Sequence, residues 1–131
     1  MNKEFIPYEQ ALELKELSFD ETCMAFYEQN NIEAQIVGVN QRYNDPSLLT
    51  LTDFCAPLYQ QAFRWFREKY GLYSEIFVDD NKTFGFLITS FIEEGRLDKP
   101  ITRQFNSYEE AELGCVKQLI EIIDRKAEAY S

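Results

Sequence analysis

The sequence predicts an α+β protein: a single domain over residues 1–131, with an antiparallel sheet of about four strands packed by three helices in the order helix, hairpin, helix, hairpin, helix. Three observations carry that expectation. Apolar residues recur at helical spacing in three segments, they alternate with polar ones in four others, and the alternating segments come in pairs around turn-forming residues. A chain of 131 residues with 45% apolar and 15% aromatic side chains supports one core without staples, and no linker or low-complexity tract interrupts it.

The first helix is expected over about 7–17. Pro7 suits a first helical position, Tyr8, Ala11, Leu12, Leu14 and Leu17 form its apolar side, and Glu9, Glu13 and Glu16 fall on the opposite face. Cys23 to Tyr27 and Glu33 to Val39 then flank Gln29-Asn30-Asn31 and read as a hairpin. The polar stretch Asn40 to Phe54 reads as a loop. Ala56-Pro57 opens the second helix, whose Leu58, Tyr59, Ala62, Phe63, Trp65, Phe66 and Tyr70 cover a wide arc, and Gly71 is its stop. Leu72 to Val78 and Thr83 to Ile92, around Asp79-Asp80-Asn81-Lys82, read as a second hairpin with Phe84, Phe86, Ile88 and Ile92 on one side. Glu93 to Asn106 reads as a second loop. Ser107 and Glu110 stand at capping-box spacing and open a third helix that runs to about Ala127. All three helices open on a shared pattern, Tyr8-x-x-Ala11, Tyr59-x-x-Ala62 and Tyr108-x-x-Ala111, which places an aromatic and a small residue on one face.

Composition excludes several chemistries. With no His, a Ser-His-Asp triad, a Cys-His pair and His-ligated zinc are absent, and the five isolated glycines form no phosphate-binding loop. No cofactor is expected. Cys23, Cys55 and Cys115 are far apart in sequence and sit among apolar residues, so free buried thiols are expected over a redox pair. Asp79, Asp80, Glu93, Glu94 and Asp98 are the carboxylates available to a metal. The spacing is not a Ca²⁺ loop, because Phe84 and Ser90 stand where a Gly and a bidentate Glu are needed, so no metal site is expected. A formal net charge of -10 repels phosphate backbones and anionic membranes, which leaves basic proteins, cations or neutral surfaces as partners. The start of the chain has no apolar core of signal-peptide length, and a cytoplasmic location is expected.

Two surface groups are candidates for interaction: the stripe Glu9, Glu13 and Glu16, and the basic-aromatic group Arg64, Trp65 and Arg67. Each also has a plain structural explanation, a solvated helix face for the first and boundary packing of Trp65 for the second. The apolar arc of the third helix spans roughly half its circumference; packing by the other two helices is favoured over a homodimer, so a monomer is expected.

Phe5-Ile6-Pro7-Tyr8-Glu9-Gln10-Ala11-Leu12 with Leu14-Lys15-Glu16-Leu17, the block Ala56 to Tyr70, and Tyr108-Glu109-Glu110-Ala111-Glu112 resemble a family of small uncharacterised proteins of gut bacteria, their phages and integrated mobile elements. The family carries no assigned activity, so the resemblance implies an origin and no site residue. Ser18 stands where that pattern would have a Gly helix stop. The order of helix 56–70, strands and helix 108–127 is also similar to double-stranded RNA-binding domains, but the start of the last helix is acidic where those domains are Lys-rich, which disfavours RNA. The functional expectation is a non-enzymatic accessory protein that acts by binding another protein. A small-ligand binder using the aromatic-rich sheet and helix 56–70 is the alternative, and a carboxylate-dependent enzyme is third.

Overall fold

The computed structural model describes residues 4–28, 31–36, 54–92 and 95–129. Its elements are α1 (Tyr8–Glu16), β1 (Ala25–Tyr27), β2 (Gln35–Ile36), β3 (Phe54–Cys55), α2 (Tyr59–Tyr70), β4 (Leu72–Val78), β5 (Phe84–Ile92), β6 (Gly95–Phe105) and α3 (Tyr108–Ala129). Among the described residues the strands form two antiparallel three-stranded sheets, ordered β2-β1-β3 and β4-β5-β6. The α+β class stands. The single four-stranded sheet does not, and neither does the simple alternation of helix and hairpin, because a third strand joins each hairpin.

Those third strands escape the sequence for physical reasons. β3 spans only Phe54–Cys55, too short to show a period of two. β6, expected as the loop Glu93 to Asn106, carries Pro100 and four charged residues, which read as loop but suit an edge strand that must avoid pairing further. The remainder of the expected loop Asn40 to Phe54, and the end of the expected strand Glu33 to Val39, lie outside the described residues.

The chain divides into two compact units, Met1–Ala62 and Phe63–Ser131, the boundary falling inside α2. In the first unit α1 packs on β3, Phe5 bridges to Leu58, and the Ile6 amide donates to the Pro57 carbonyl at 2.8 Å. Tyr8, Tyr27 and Phe54 meet with ring centroids 5.1 to 5.7 Å apart, and the buried Tyr27 hydroxyl donates to the Ile6 carbonyl at 2.7 Å. In the second unit α3 packs across the sheet, mainly on β5. Leu72, Phe86, Ile88, Cys115, Val116 and Leu119 are buried there, each large apolar side chain contributing about 1.5–3 kcal/mol.

The shared Tyr-x-x-Ala pattern marks the three helix starts. Tyr8, Tyr59 and Tyr108 are the first residues of α1, α2 and α3. Ala11, Ala62 and Ala111 are fully buried, and each amide closes a helical bond to the residue four before it, at 2.8, 3.0 and 3.2 Å. The small residue lets the first turn lie close to its neighbours. Two starts are later than expected: Pro7 is the cap before α1, with ψ 158°, and α2 begins at Tyr59 because Phe54–Cys55 is a strand. Gly71 ends α2 as expected, with φ 68°. The Ser107 hydroxyl accepts the Glu110 amide at 3.1 Å, while the Glu110 carboxylate reaches back to the Asn106 amide at 3.1 Å. No helix among the described residues is long and apolar enough to cross a membrane.

Candidate functional site

The residues singled out by sequence do not converge. On α1, Glu9 and Glu16 are exposed and Glu13 is half-buried. On α2, Arg64 and Arg67 are exposed, whereas Trp65 is buried. Its ring packs edge-on against Phe66 and Tyr70, at 5.0 and 5.4 Å, with the Lys69 ammonium 5.0 Å over it. A ring engaged in this way is no platform for stacking a base. Asp79 shapes the β4–β5 turn: its carboxylate accepts the Asn81 and Thr83 amides at 2.9 and 3.1 Å and the Thr83 hydroxyl. The Thr83 hydroxyl first, then these amides, hold the Asp79 pKa below the usual carboxylate range. Among the described residues no three His, Cys, Asp or Glu side chains gather where a metal would need them.

Two groupings that sequence spacing does not reveal appear in the fold. In the first unit, Cys23 and Cys55, from either side of β1 and β3, both donate to the Glu21 carbonyl oxygen, at 3.6 and 3.5 Å. The Gln61 amide of α2 clasps the same turn, donating to the Glu21 carboxylate at 3.2 Å and the Thr22 carbonyl at 2.8 Å. All three cysteines of the chain are free and buried. The Cys23 thiol is held far above its ordinary range by the Cys55 thiol beside it, by burial and by the charge of Glu21, against a smaller opposing effect of Gln61. Such a shift disfavours the thiolate, the form that acts as a nucleophile. This cluster is a closed structural joint.

In the second unit an open cleft of about 490 Å³ lies between α3 and the end of the sheet. One wall is the rings of Phe86 and Phe105, 6.0 Å apart and tilted by 31°. A bulge sets this wall: Phe84 pairs with Phe105 but Phe86 pairs with Ile101, so β6 spends extra residues between them and brings Phe105 to the cleft end of the strand. The other wall is the α3 face that repeats Glu110, Gly114, Lys117 and Glu121, with Leu113 and Gln118 at its sides. Gly114 lets the Phe105 ring lie directly on α3 at the edge of the cleft. A Cβ there would lie 2.6 Å from Phe105 Cζ and 3.4 Å from Phe86 Cε1.

Next to the cleft, α3 buries an acid. Glu112, 8% exposed, falls within the apolar stripe of Ala111, Cys115, Val116 and Leu119. Burial first, and then the charge of Glu109, push its pKa up to about 7. Burial likewise pushes the Cys115 thiol up to about 12, with the Ser74 hydroxyl opposing and Glu112 adding to the shift. Glu112 does not line the cleft, so no general acid faces it from this position. Of the aromatic-rich sheet and helix 56–70, the two elements expected to hold a ligand, the described lining of the cleft includes Phe86 and Phe105 of the sheet and no residue of that helix. The sequence carried one readable signal for it, a lone Gly114 inside a strong helical pattern. No protein-family model, curated protein or solved structure matches this chain.

Proposed function

We propose that this protein is a non-enzymatic binder of a small molecule with an apolar body, held in the α3 cleft against the Phe105 ring. The cleft itself carries the reading. Its volume, about 490 Å³, falls in the range of ligand sites, ~300–1,000 Å³, and it combines an apolar wall with a few polar side chains that would fix orientation. Catalysis is left out of the proposal because, among the described residues at the cleft, Glu110 closes the α3 cap and Glu121 pairs with Arg125. The origin among small proteins of gut bacteria, phages and mobile elements belongs to the same proposal, as does a cytoplasmic location.

An NMR titration with 2-naphthamide, a flat neutral probe, tests the reading. Saturable shifts at the Gly114, Lys117 and Gln118 amides are expected. Absence of saturation at millimolar probe, or shifts confined to the first unit, would overturn it. A second reading, docking of a basic protein partner, is favoured by one observation: Tyr73, Phe77 and Val78 are exposed on β4, with the exposed Glu75 between them. Charge reversal at Glu75 would weaken such a complex and leave the naphthamide shifts in place.

A further inference from the structure

We infer that the ligand of the α3 cleft is an anion, an aryl carboxylate or sulfonate whose charged group meets Lys117 while its flat body lies against Phe86 and Phe105. This rests on the ligand-binding reading above and adds the charge of the ligand to it.

The argument is an account of which polar groups at the cleft are still uncommitted. Among the described residues, four polar side chains line it: Glu110, Lys117, Gln118 and Glu121. The Glu110 carboxylate accepts the Asn106 amide at 3.1 Å and closes the α3 cap. The Glu121 carboxylate is paired with Arg125 one turn on. Among the described residues, the Lys117 and Gln118 side chains have no hydrogen bond or ion pair. Lys117 lines the cleft one turn from both Gly114 and Glu121. What the cleft offers a ligand is therefore one cation and one amide beside two aromatic rings. A cationic ligand would have to share Glu121 with Arg125 or Glu110 with the helix cap. An anionic one displaces only water.

The chain's formal charge of -10 does not defeat this. Exposed charges are screened beyond about 8 Å at physiological salt. Within that range, Arg125 compensates Glu121, and the positive end of α3 compensates Glu110. A single Lys with an amide suits a monoanion. A phosphoryl group would call for a bidentate Arg or a cradle of backbone amides, and the cleft presents neither among its lining residues.

The test uses three probes that share one ring system: 2-naphthoate, 2-naphthamide and 2-naphthylmethylammonium, each titrated into the full chain with the Gly114 amide as the NMR readout. Naphthoate should bind about threefold to tenfold more tightly than the amide, and the ammonium weakest, as expected for one half-exposed ion pair. The preference for naphthoate should vanish in Lys117→Gln and reverse in Lys117→Glu, substitutions at an exposed position of α3 that thermal melting should show to be folded. Raising the salt to about 0.5 M should shrink the preference in the unaltered protein. Equal affinity for naphthoate and naphthamide, or tightest binding of the ammonium, would overturn the anionic assignment and leave the cleft reading standing. If no probe binds, the cleft reading falls, and this inference with it.

Discussion

The two units of the chain solve the same problem in opposite ways. Among the described residues of Met1–Ala62 the strands are two or three residues long, and few ladder hydrogen bonds hold them there. Side chains do it instead: Tyr27 bonds to Ile6, two thiols share the Glu21 carbonyl, and Gln61 ties down Glu21 and Thr22. These polar groups are spent on structure. In Phe63–Ser131 the strands run to 7, 9 and 11 residues, and the ladder carries the sheet. Side chains are released from that duty. Glu112 is buried beside another acid, and the Lys117 and Gln118 side chains face an open cleft with no partner among the described residues. Groups without a structural partner are the ones free to meet a ligand or to respond to pH.

The sharpest way to break this comparison is to remove one phenylalanine from each unit. Phe54, 4% exposed, closes the Tyr8–Tyr27 cluster, and Phe54→Ala should cost about 3–5 kcal/mol in urea denaturation, the range for emptying a packed aromatic site. Phe105 is half-buried at the cleft wall, and Phe105→Ala should cost about 1–2 kcal/mol, because part of the space it leaves is already open to water. Equal costs would mean that the cleft wall is as much a part of the core as the cluster in the first unit.

A smaller effect separates the units by pH. The folded Glu112 holds its proton up to about 7, against an ordinary 4.5, so between those values the folded protein binds more protons than the unfolded chain. Stability from this group is present below 4.5 and falls as pH rises, by up to ~1.4 kcal/mol per unit, to a total loss of about 2–3 kcal/mol above pH 7. Glu112→Gln should remove that slope and leave the protein more stable than the parent at pH 8. Asp79 acts in the opposite sense and in a separate window: its lowered pKa gives stability that is lost only as pH falls below the ordinary carboxylate range. A parent whose stability is flat from pH 5 to 7 would show that Glu112 is better solvated than its burial implies.

The same contrast explains what was legible in the sequence. Helix starts were, since Tyr8-x-x-Ala11, Tyr59-x-x-Ala62 and Tyr108-x-x-Ala111 need only local spacing. So was the β4–β5 hairpin, whose Leu72–Val78 bounds and Asp79 turn follow from alternation and short-range side-chain bonds. The third strand of each sheet was not, because β3 is short and β6 is an edge whose charges and proline disguise it. Nor was the pairing of Cys23 with Cys55, which depends on a register formed across more than thirty intervening residues. The cleft was half legible. Gly114 broke the helical pattern in plain view, but its use depends on where the β6 bulge sets Phe105. Glu112 was hidden for the reverse reason: a single acid inside an apolar stripe reads as surface until the stripe's neighbours are known.

The smallest test sets one helix end against the other. α1 and α2 each stop at a residue in left-handed conformation, Ser18 with φ 70° and Gly71 with φ 68°. After α1 the Ser18 amide bonds to Lys15 and the Phe19 amide to Leu14, both at 2.9 Å, the pattern of a Schellman stop in which glycine is usual. The left-handed form costs a residue with a Cβ about 1–2 kcal/mol, while glycine's extra freedom in the unfolded chain costs about 0.5–1 kcal/mol. The difference favours glycine by about 0.5–1 kcal/mol at either site. Ser18→Gly should therefore stabilise by that amount, and Gly71→Ala should destabilise by the same amount, since no atom lies within 4 Å of a Cβ built at Gly71 and only the backbone conformation is at stake. Opposite shifts of similar size in the urea midpoint are the expected result. A loss of stability in Ser18→Gly would show that the serine side chain has a role at the end of α1 that outweighs its strain.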